Sequence, residues 1–291
     1  MNVLWIMADQ LRWDYLSCYG ADHIQTPNID RLASKGMRFN RTYIQSPICG
    51  PSRMSFYTGR YVRSHGSTAN GAPLRVGEPT LGDHLRELDV KCGLVGKTHM
   101  APDLEGMKRL GIDPQSTIGA LVSECGFDVF VRDDGNNPSI LPHKHGEDYD
   151  QYLREFGMDG ENPWEEWANT AVAPDGSLRS GWMLENAPLA ARVPKEHSET
   201  SWLTTRGIEY MESQGDQPWL CHLSYINRIG PILHRRPTMI CTALMIYRQL
   251  TAPKESAKPT IRFCKAGLTA GSARIFPAMI SATLLPRSIW G

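Results

Sequence analysis

Val3-Leu-Trp-Ile-Met-Ala8 is an unbroken apolar run, closed at once by Asp9-Gln10. A strand with one wet face would alternate apolar and polar positions. A continuous run of this length suits a parallel strand covered on both faces. In sheets of that kind ligands collect beyond the C-terminal ends of the strands, which is where Asp9 and Gln10 fall.

Outward from this run, further strands and helices alternate. Thr26 to Gly36 predicts a capped helix, with Thr26 or Asn28 near its start, Ile29, Leu32 and Ala33 on one face, and Gly36 as the stop. Met37 to Ile44 reads as a second strand. Pro51 to Tyr57 is a short helix with proline in its first turn and Gly59 beyond its last. Leu81, Leu85 and Leu88 recur at helical spacing over Thr80 to Leu88, and Lys91 to Gly96 reads as a strand that delivers Lys97 and His99 to its end. Residues 101–200, rich in Gly, Pro, Asp, Asn and Trp, read as a long decorated insertion at the substrate end of the sheet. Ser198 to Ser213 predicts a helix and Trp219 to Ile226 a strand. The alternation argues for an α/β fold with a largely parallel sheet.

Bulk properties narrow the function. The 291 residues carry a formal net charge of +0, with 41% hydrophobic and 21% charged residues, ordinary values for a globular enzyme-sized chain. Nothing overall points to nucleic acid or a membrane surface as partner. The seven cysteines are scattered without a CxxC pair, so neither a disulfide framework nor a zinc ribbon is expected. The N-terminus lacks a basic start, and its apolar run is too short for a signal peptide or a membrane span. The expected setting is cytoplasmic.

The chemistry-bearing stretch is Ser46-Pro-Ile-Cys-Gly-Pro-Ser-Arg-Met-Ser-Phe-Tyr-Thr-Gly59. A helix starting just after Cys49 directs backbone N–H groups and the positive end of its dipole toward that side chain, which favours an anion there. Read alone, Cys49 is as well explained as a small buried thiol in a loop, Arg53 as a solvated helix residue and Asp9 as a helix cap. His65, in the glycine-flanked Arg63-Ser64-His65-Gly66, reads as structural, and His143, His145, His197 and His222 show no persuasive spacing.

Cys49-Gly50-Pro51-Ser52-Arg53, with Thr58-Gly59-Arg60 after it, resembles the signature of the type I sulfatases of the alkaline phosphatase superfamily. NVLWIMADQLRWD is similar to that family's opening strand and metal loop, TPNIDRLASKGMRFNRTY to its next helix and strand, and YVRSHG and GLVGKTHM also have family counterparts. The resemblance runs from Asn2 to about Ile226 and is nearest to cytoplasmic sulfatases and phosphonate monoester hydrolases. It implies an alkaline-phosphatase-like sandwich, of which this chain holds the N-terminal part. It further implies that Cys49 is oxidised by a formylglycine-generating enzyme to formylglycine, whose hydrate is the nucleophile. A divalent cation (Ca2+, Mg2+ or Mn2+) is implied on Asp9, Gln10 and Cys49. Gln10 stands where many sulfatases have a second Asp, which weakens the site and leans toward phosphonate esters. By the same resemblance Arg53 orients the formylglycine hydroxyl, Lys97 contacts the ester oxygens, His99 stabilises or protonates the diol, and Asn70 touches the ester. The implied activity is sulfuric ester hydrolysis, with phosphonate or phosphate ester hydrolysis as the alternative within the superfamily.

At Asn227 the character of the chain changes. Residues 228–291 hold ten Lys+Arg against one acid, Glu255, which leaves 21 basic and 30 acidic residues in 1–227. Restoring one base within the Asn227 codon lets the degenerate back-translation of NRIGPILHRRPTMICTALMIYRQ read KPHWPYIAPAPYHDMYGADDIPA. Two of its Asp codons are forced by Met239-Ile240 and Met245-Ile246. Family members carry a segment like KPHWPY here. The reading is therefore a catalytic domain over 1–227 and an out-of-frame tail over 228–291. The resemblance then implies loss of a leaving-group His, of an Asp with Asn or His at the metal, and of a further Lys. It also implies an exposed apolar sheet edge. An impaired enzyme, or a non-catalytic remnant, is expected.

Overall fold

The computed structural model describes residues 1–135 and 148–226 and the backbone of 280–285. In chain order the main elements are β1 (Asn2–Ala8), α1 (Pro27–Lys35), α2 (Cys49–Thr58), α3 (Val62–His65), α4 (Leu81–Arg86), β2 (Lys91–Gly96), α5 (Leu104–Leu110), α6 (Thr117–Ser123), β3 (Asp128–Arg132) and α7 (Asp148–Glu155). They continue with β4 (Thr170–Val172), β5 (Leu178–Ser180), β6 (Ala190–Ala191), α8 (Glu199–Ser213), β7 (Trp219–Tyr225) and β8 (Ile280–Leu285).

The central sheet has the order β3-β2-β7-β1-β8. Strands β1, β2, β3 and β7 run parallel, and β8 is antiparallel to β1. Parallel pairing carries the ends of β1, β2 and β7 to one rim, with Ala8 opposite Tyr225 and Gly96 opposite Ser224. Asp9, Lys97 and His99 follow directly from that rim. On one face Leu4, Val95, Trp219, Cys221 and Leu223 pack with Tyr149, Trp202, Leu203 and Tyr210 of α7 and α8. On the other, Trp5, Leu94, Phe127 and Leu220 pack with Met54 and Tyr57 of α2. Every residue of β7 is buried, His222 and Ser224 included, so the strand is covered on both sides.

Three expectations require correction. Met37 to Ile44 is not a strand; Met37, Phe39 and Tyr43 are 56%, 57% and 66% exposed. An exposed apolar sheet edge was also expected; at β1 no such edge is found, since it is paired with Ile280–Leu285. Residues 101–200 are likewise not all insertion. They supply α5, α6 and β3, the last pairing with β2, before a small antiparallel sheet of order β5-β4-β6. The remainder of the tail, Asn227 and the shifted-frame reading lie outside the described residues, as do His143 and His145. Among the described residues no helix is long and apolar enough to cross a membrane.

Candidate active site

Helix α2 begins at Cys49 and ends on Gly59, whose φ of 67° gives the left-handed stop. Its first turn is less open to anions than the sequence suggests. Pro51 has no N–H, and the Gly50 N–H donates to Asn70 Oδ1 at 2.9 Å. A Cβ on Gly50 would sit 2.8 Å from that oxygen, so glycine is what lets Asn70 cap the helix. Asn70, expected at the ester, is thus held as a cap and is exposed.

Asp9, Gln10, Cys49, Ser52 and Arg53 line one cleft of about 230 Å³, together with Trp5, Ile48 and Phe56. Arg53 is 3% exposed and Lys97 1%. The two cations converge on Asp9: Arg53 Nη2 donates to Oδ1 at 3.1 Å and Lys97 Nζ to Oδ2 at 2.9 Å. Arg53 Nη1 donates further to the Lys97 carbonyl at 2.8 Å, to Ser224 Oγ at 2.9 Å and to Tyr57 Oη at 3.2 Å. Gly96, at φ 107°, turns the chain so that the Lys97 N–H reaches the Ser224 carbonyl at 3.2 Å. A side chain on Gly96 would collide with that same carbonyl.

Burial pushes the Asp9 carboxyl upward, but Arg53 and Lys97 outweigh it and hold the group below its ordinary value. Burial raises the Cys49 thiol, and Asp9 raises it further against Lys97 and Arg53. An unmodified thiol here is therefore protonated near neutrality and is a poor nucleophile. His99 sits at a φ of 58° with its Nδ1 buried and without a hydrogen bond. Burial and then Lys97 lower its pKa to about 4, against the opposite pull of Asp134. His99 is therefore neutral at working pH.

A stability prediction follows from His99. Below about pH 6.5 the unfolded chain takes up a proton that the folded chain refuses until about pH 4. Stability should fall as pH drops through that window, by about 1.4 kcal/mol per pH unit for each such proton. His222 and His65, lowered chiefly by burial, act in the same direction. Urea titrations between pH 7 and 4.5 should show a shallower decline for His99→Asn than for wild type; equal slopes would remove His99 from the account.

Sequence reasoning missed Tyr57, Ser224 and Asp134. Tyr57 lies one helical turn from Arg53 and was legible as such. Asp134 follows the end of β3, a strand that composition concealed. It receives Arg132 Nη2 at 3.2 Å and lies 3.8 Å from Lys97 Nζ. His65 is structural as expected, buried and bonded to Ser55 Oγ at 2.9 Å. His222 packs under the site, bonded to Tyr57 Oη at 2.9 Å and stacked on Trp5, while His197 bonds Tyr152 Oη at 2.8 Å on α7.

These residues do not make a divalent-cation site as they stand. Both Asp9 oxygens are already ion-paired, Gln10 is exposed at a φ of 55°, and among the described residues no group of three or more His, Cys, Asp or Glu is placed to hold a metal. Asp9, Gln10 and Cys49, expected as ligands, share the cleft but offer one carboxylate, and that one is neutralised.

A largely parallel sheet with a cysteine-led helix start and two buried cations paired to one carboxylate at its rim defines the class as an α/β protein with its polar cluster at the strand ends. The sulfatase family model matches residues 1–228, and the chain belongs to that family, within the alkaline phosphatase superfamily. It is 28% identical over 242 residues to the multifunctional alkaline phosphatase superfamily protein PehA of Trinickia caryophylli, covering 81% of this chain and 43% of that one. It is 27% identical over 251 residues to an N-acetylgalactosamine-6-O-sulfatase of Bacteroides thetaiotaomicron, covering 76% and 47%. A phosphonate monoester hydrolase from Silicibacter pomeroyi superposes with a TM-score of 0.61 at 26% identity, over 79% of this chain and 42% of that one. The chain spans less than half the length of these relatives.

Proposed function

We propose that the site serves sulfate ester hydrolysis, with Cys49 matured to formylglycine as the nucleophile-bearing residue. The observation that carries this reading is the cleft itself. Cys49 opens α2 beside Asp9 and Arg53 in that cleft, within the Cys-Gly-Pro-Ser-Arg frame of the family that the chain belongs to. Hydrated formylglycine supplies two hydroxyls on one carbon, one to attack sulfur and one to expel sulfate as the aldehyde re-forms.

The chain's own residues supply the rest. Arg53, pinned by Asp9, Tyr57, Ser224 and the Lys97 carbonyl, holds its charge in place beside position 49 without reorganising. Lys97 supplies the second positive charge for the ester oxygens. Neutral His99 offers a ring nitrogen that can hold or pass a proton. Family membership implies a divalent cation as well; the donors beyond Asp9 and Gln10 would have to come from outside the described residues, and no step is routed through it. A phosphonate ester reading is favoured by Gln10 and by the likeness to phosphonate monoester hydrolase, whereas Lys97 and His99 favour sulfate. We further propose that residues 228–291 are an out-of-frame translation, so that this chain holds only part of the machinery.

The test is maturation. After coexpression with a formylglycine-generating enzyme, the Cys49 peptide should lose its sulfur and two hydrogens and gain one oxygen by mass spectrometry. A thiol that stays unmodified would support a non-catalytic remnant instead.

A further inference from the structure

We propose that Thr98 and Glu124 are positioning residues for His99: the Thr98 hydroxyl, fixed on the buried Glu124 carboxylate, keeps the backbone of residue 99 in the left-handed region and so aims its ring. The inference rests on the reading of His99 as the group that holds or passes a proton.

His99 has a φ of 58°, where a Cβ crowds the backbone. Residues other than glycine stay there only when their surroundings over-determine it. Both flanks of His99 are fixed. Before it, the Lys97 N–H donates to the Ser224 carbonyl at 3.2 Å and the Lys97 carbonyl accepts from Arg53 Nη1 at 2.8 Å. After it, the buried Met100 packs with Trp5, Leu94 and Phe127.

Thr98 joins the two flanks. Its hydroxyl donates to Glu124 Oε2 and accepts from the Met100 N–H at 3.3 Å. One hydroxyl thus closes a turn around His99 and ties that turn to the residue that follows α6. Thr98 is fully buried, so the bond is sheltered from competing water.

Glu124 is a firm anchor. It too is fully buried, and its Oε1 accepts from Arg132 Nε at 2.9 Å. Arg132, buried to the same degree, spans onward to Asp134 Oδ2 at 3.2 Å. A carboxylate taken out of water and held by a guanidinium keeps its place, because leaving it would strand a buried charge. Cys125, next after Glu124, stands at a φ of 55°. Two of the four non-glycine residues with positive φ among the described residues therefore adjoin this one contact. A hydrogen bond to a charged acceptor is worth more than one between neutral groups, enough to offset a residue held at positive φ.

The experiment is urea unfolding of the 291-residue chain with alanine or glycine at position 99. Each is placed in five backgrounds: wild type, Thr98→Ser, Thr98→Val, Glu124→Gln and the Thr98→Val/Glu124→Gln double variant. Circular dichroism checks that each folds. Glycine is at ease at positive φ and alanine is not; at ordinary φ alanine is favoured, because glycine loses more entropy on folding. With Thr98 in place, His99→Gly should show a folding equilibrium constant about fivefold larger than His99→Ala. Thr98→Ser keeps the hydroxyl and should keep that preference, whereas Thr98→Val should abolish or reverse it. Glu124→Gln should reduce the preference by about half, and should have no further effect once Thr98 is valine, because it acts through the hydroxyl. A glycine preference that persists in Thr98→Val would mean that packing alone sets the turn and would overturn the proposal, as would its absence in the wild-type background. An equal effect of Glu124→Gln with and without the hydroxyl would remove Glu124 from the account. If the Thr98→Val set does not fold, the Glu124→Gln set carries the test, and an undiminished glycine preference there is decisive against the idea. None of these readouts involves turnover: a matured chain that fails to hydrolyse sulfate esters would count against the catalytic reading of His99 and leave its positioning standing.

Discussion

Replacing Asp9 by alanine is expected to lower the unfolding free energy by roughly 3–5 kcal/mol, the cost of stripping the partner from a buried charge. The carboxylate is the shared partner of two cations, Arg53 and Lys97, that are 3% and 1% exposed. Without it Arg53 keeps three hydrogen bonds to neutral acceptors, and Lys97 keeps only the distant Asp134. Neither retains a compensating charge in contact. Lys97→Met should cost less, because it removes a buried charge and leaves Asp9 paired with Arg53. The pH dependence has a definite sign. Asp9 is held below its ordinary value by Arg53 and Lys97 despite burial, so its contribution is fully present above the unfolded pKa of about 3.9 and is lost as pH falls through the lower folded value. The gap between wild type and Asp9→Ala should therefore be constant from neutrality down to about pH 4 and narrow below it. Urea unfolding of both proteins across that range measures it; a gap under about 1 kcal/mol at pH 7 would mean that water or rearrangement has already relieved the cations.

What could be read from the sequence divides along physical lines. Strands β1, β2 and β7 and helices α2 and α8 were visible because burial on two faces, or a periodic apolar stripe with a cap, writes itself into consecutive residues. Ser198, for one, begins the predicted helix and caps α8, accepting from the Ser201 N–H. The same patterns put Cys49, Lys97 and His99 at the ends of such elements, whereas Arg53 lies inside α2 and the roles expected of all four came from the family resemblance. Met37 to Ile44 misled because its β-prone composition carries no information about whether a partner edge is free, and β1 is paired with β8. The partnership of Asp9 was illegible in principle. Arg53 and Lys97 lie 44 and 88 residues away; the parallel register of β1, β7 and β2 brings Lys97 to the rim, and the packing of α2 on that sheet brings Arg53 there. Asp134 was hidden behind β3, a five-residue strand inside a segment dominated by turn formers.

Restoring one base at codon 227 is expected to raise hydrolysis of p-nitrophenyl sulfate by at least about a thousandfold over the 291-residue chain, when both are matured at Cys49 and supplied with a divalent cation. The reasoning is that the described residues supply a nucleophile position and two cations but one already neutralised carboxylate. Binding charge without the remaining donors leaves the reacting group held but not activated, and groups that act as a unit lose nearly all of their effect when part of the set is missing. Cys49→Ala in the frame-restored protein should return the rate to the level of the shorter chain, because no other side chain in the cleft can form and release a covalent sulfate ester. Arg53 cannot attack, and Ser46 and Ser52, the hydroxyls that line the cleft, carry no second hydroxyl on the same carbon to expel sulfate from the ester they would form. The two arms separate the two claims. A 291-residue chain as active as the restored one would show that the tail is native and the frame intact. A frame-restored Cys49→Ala enzyme that kept its full rate would leave the frame argument standing and remove the nucleophile from it.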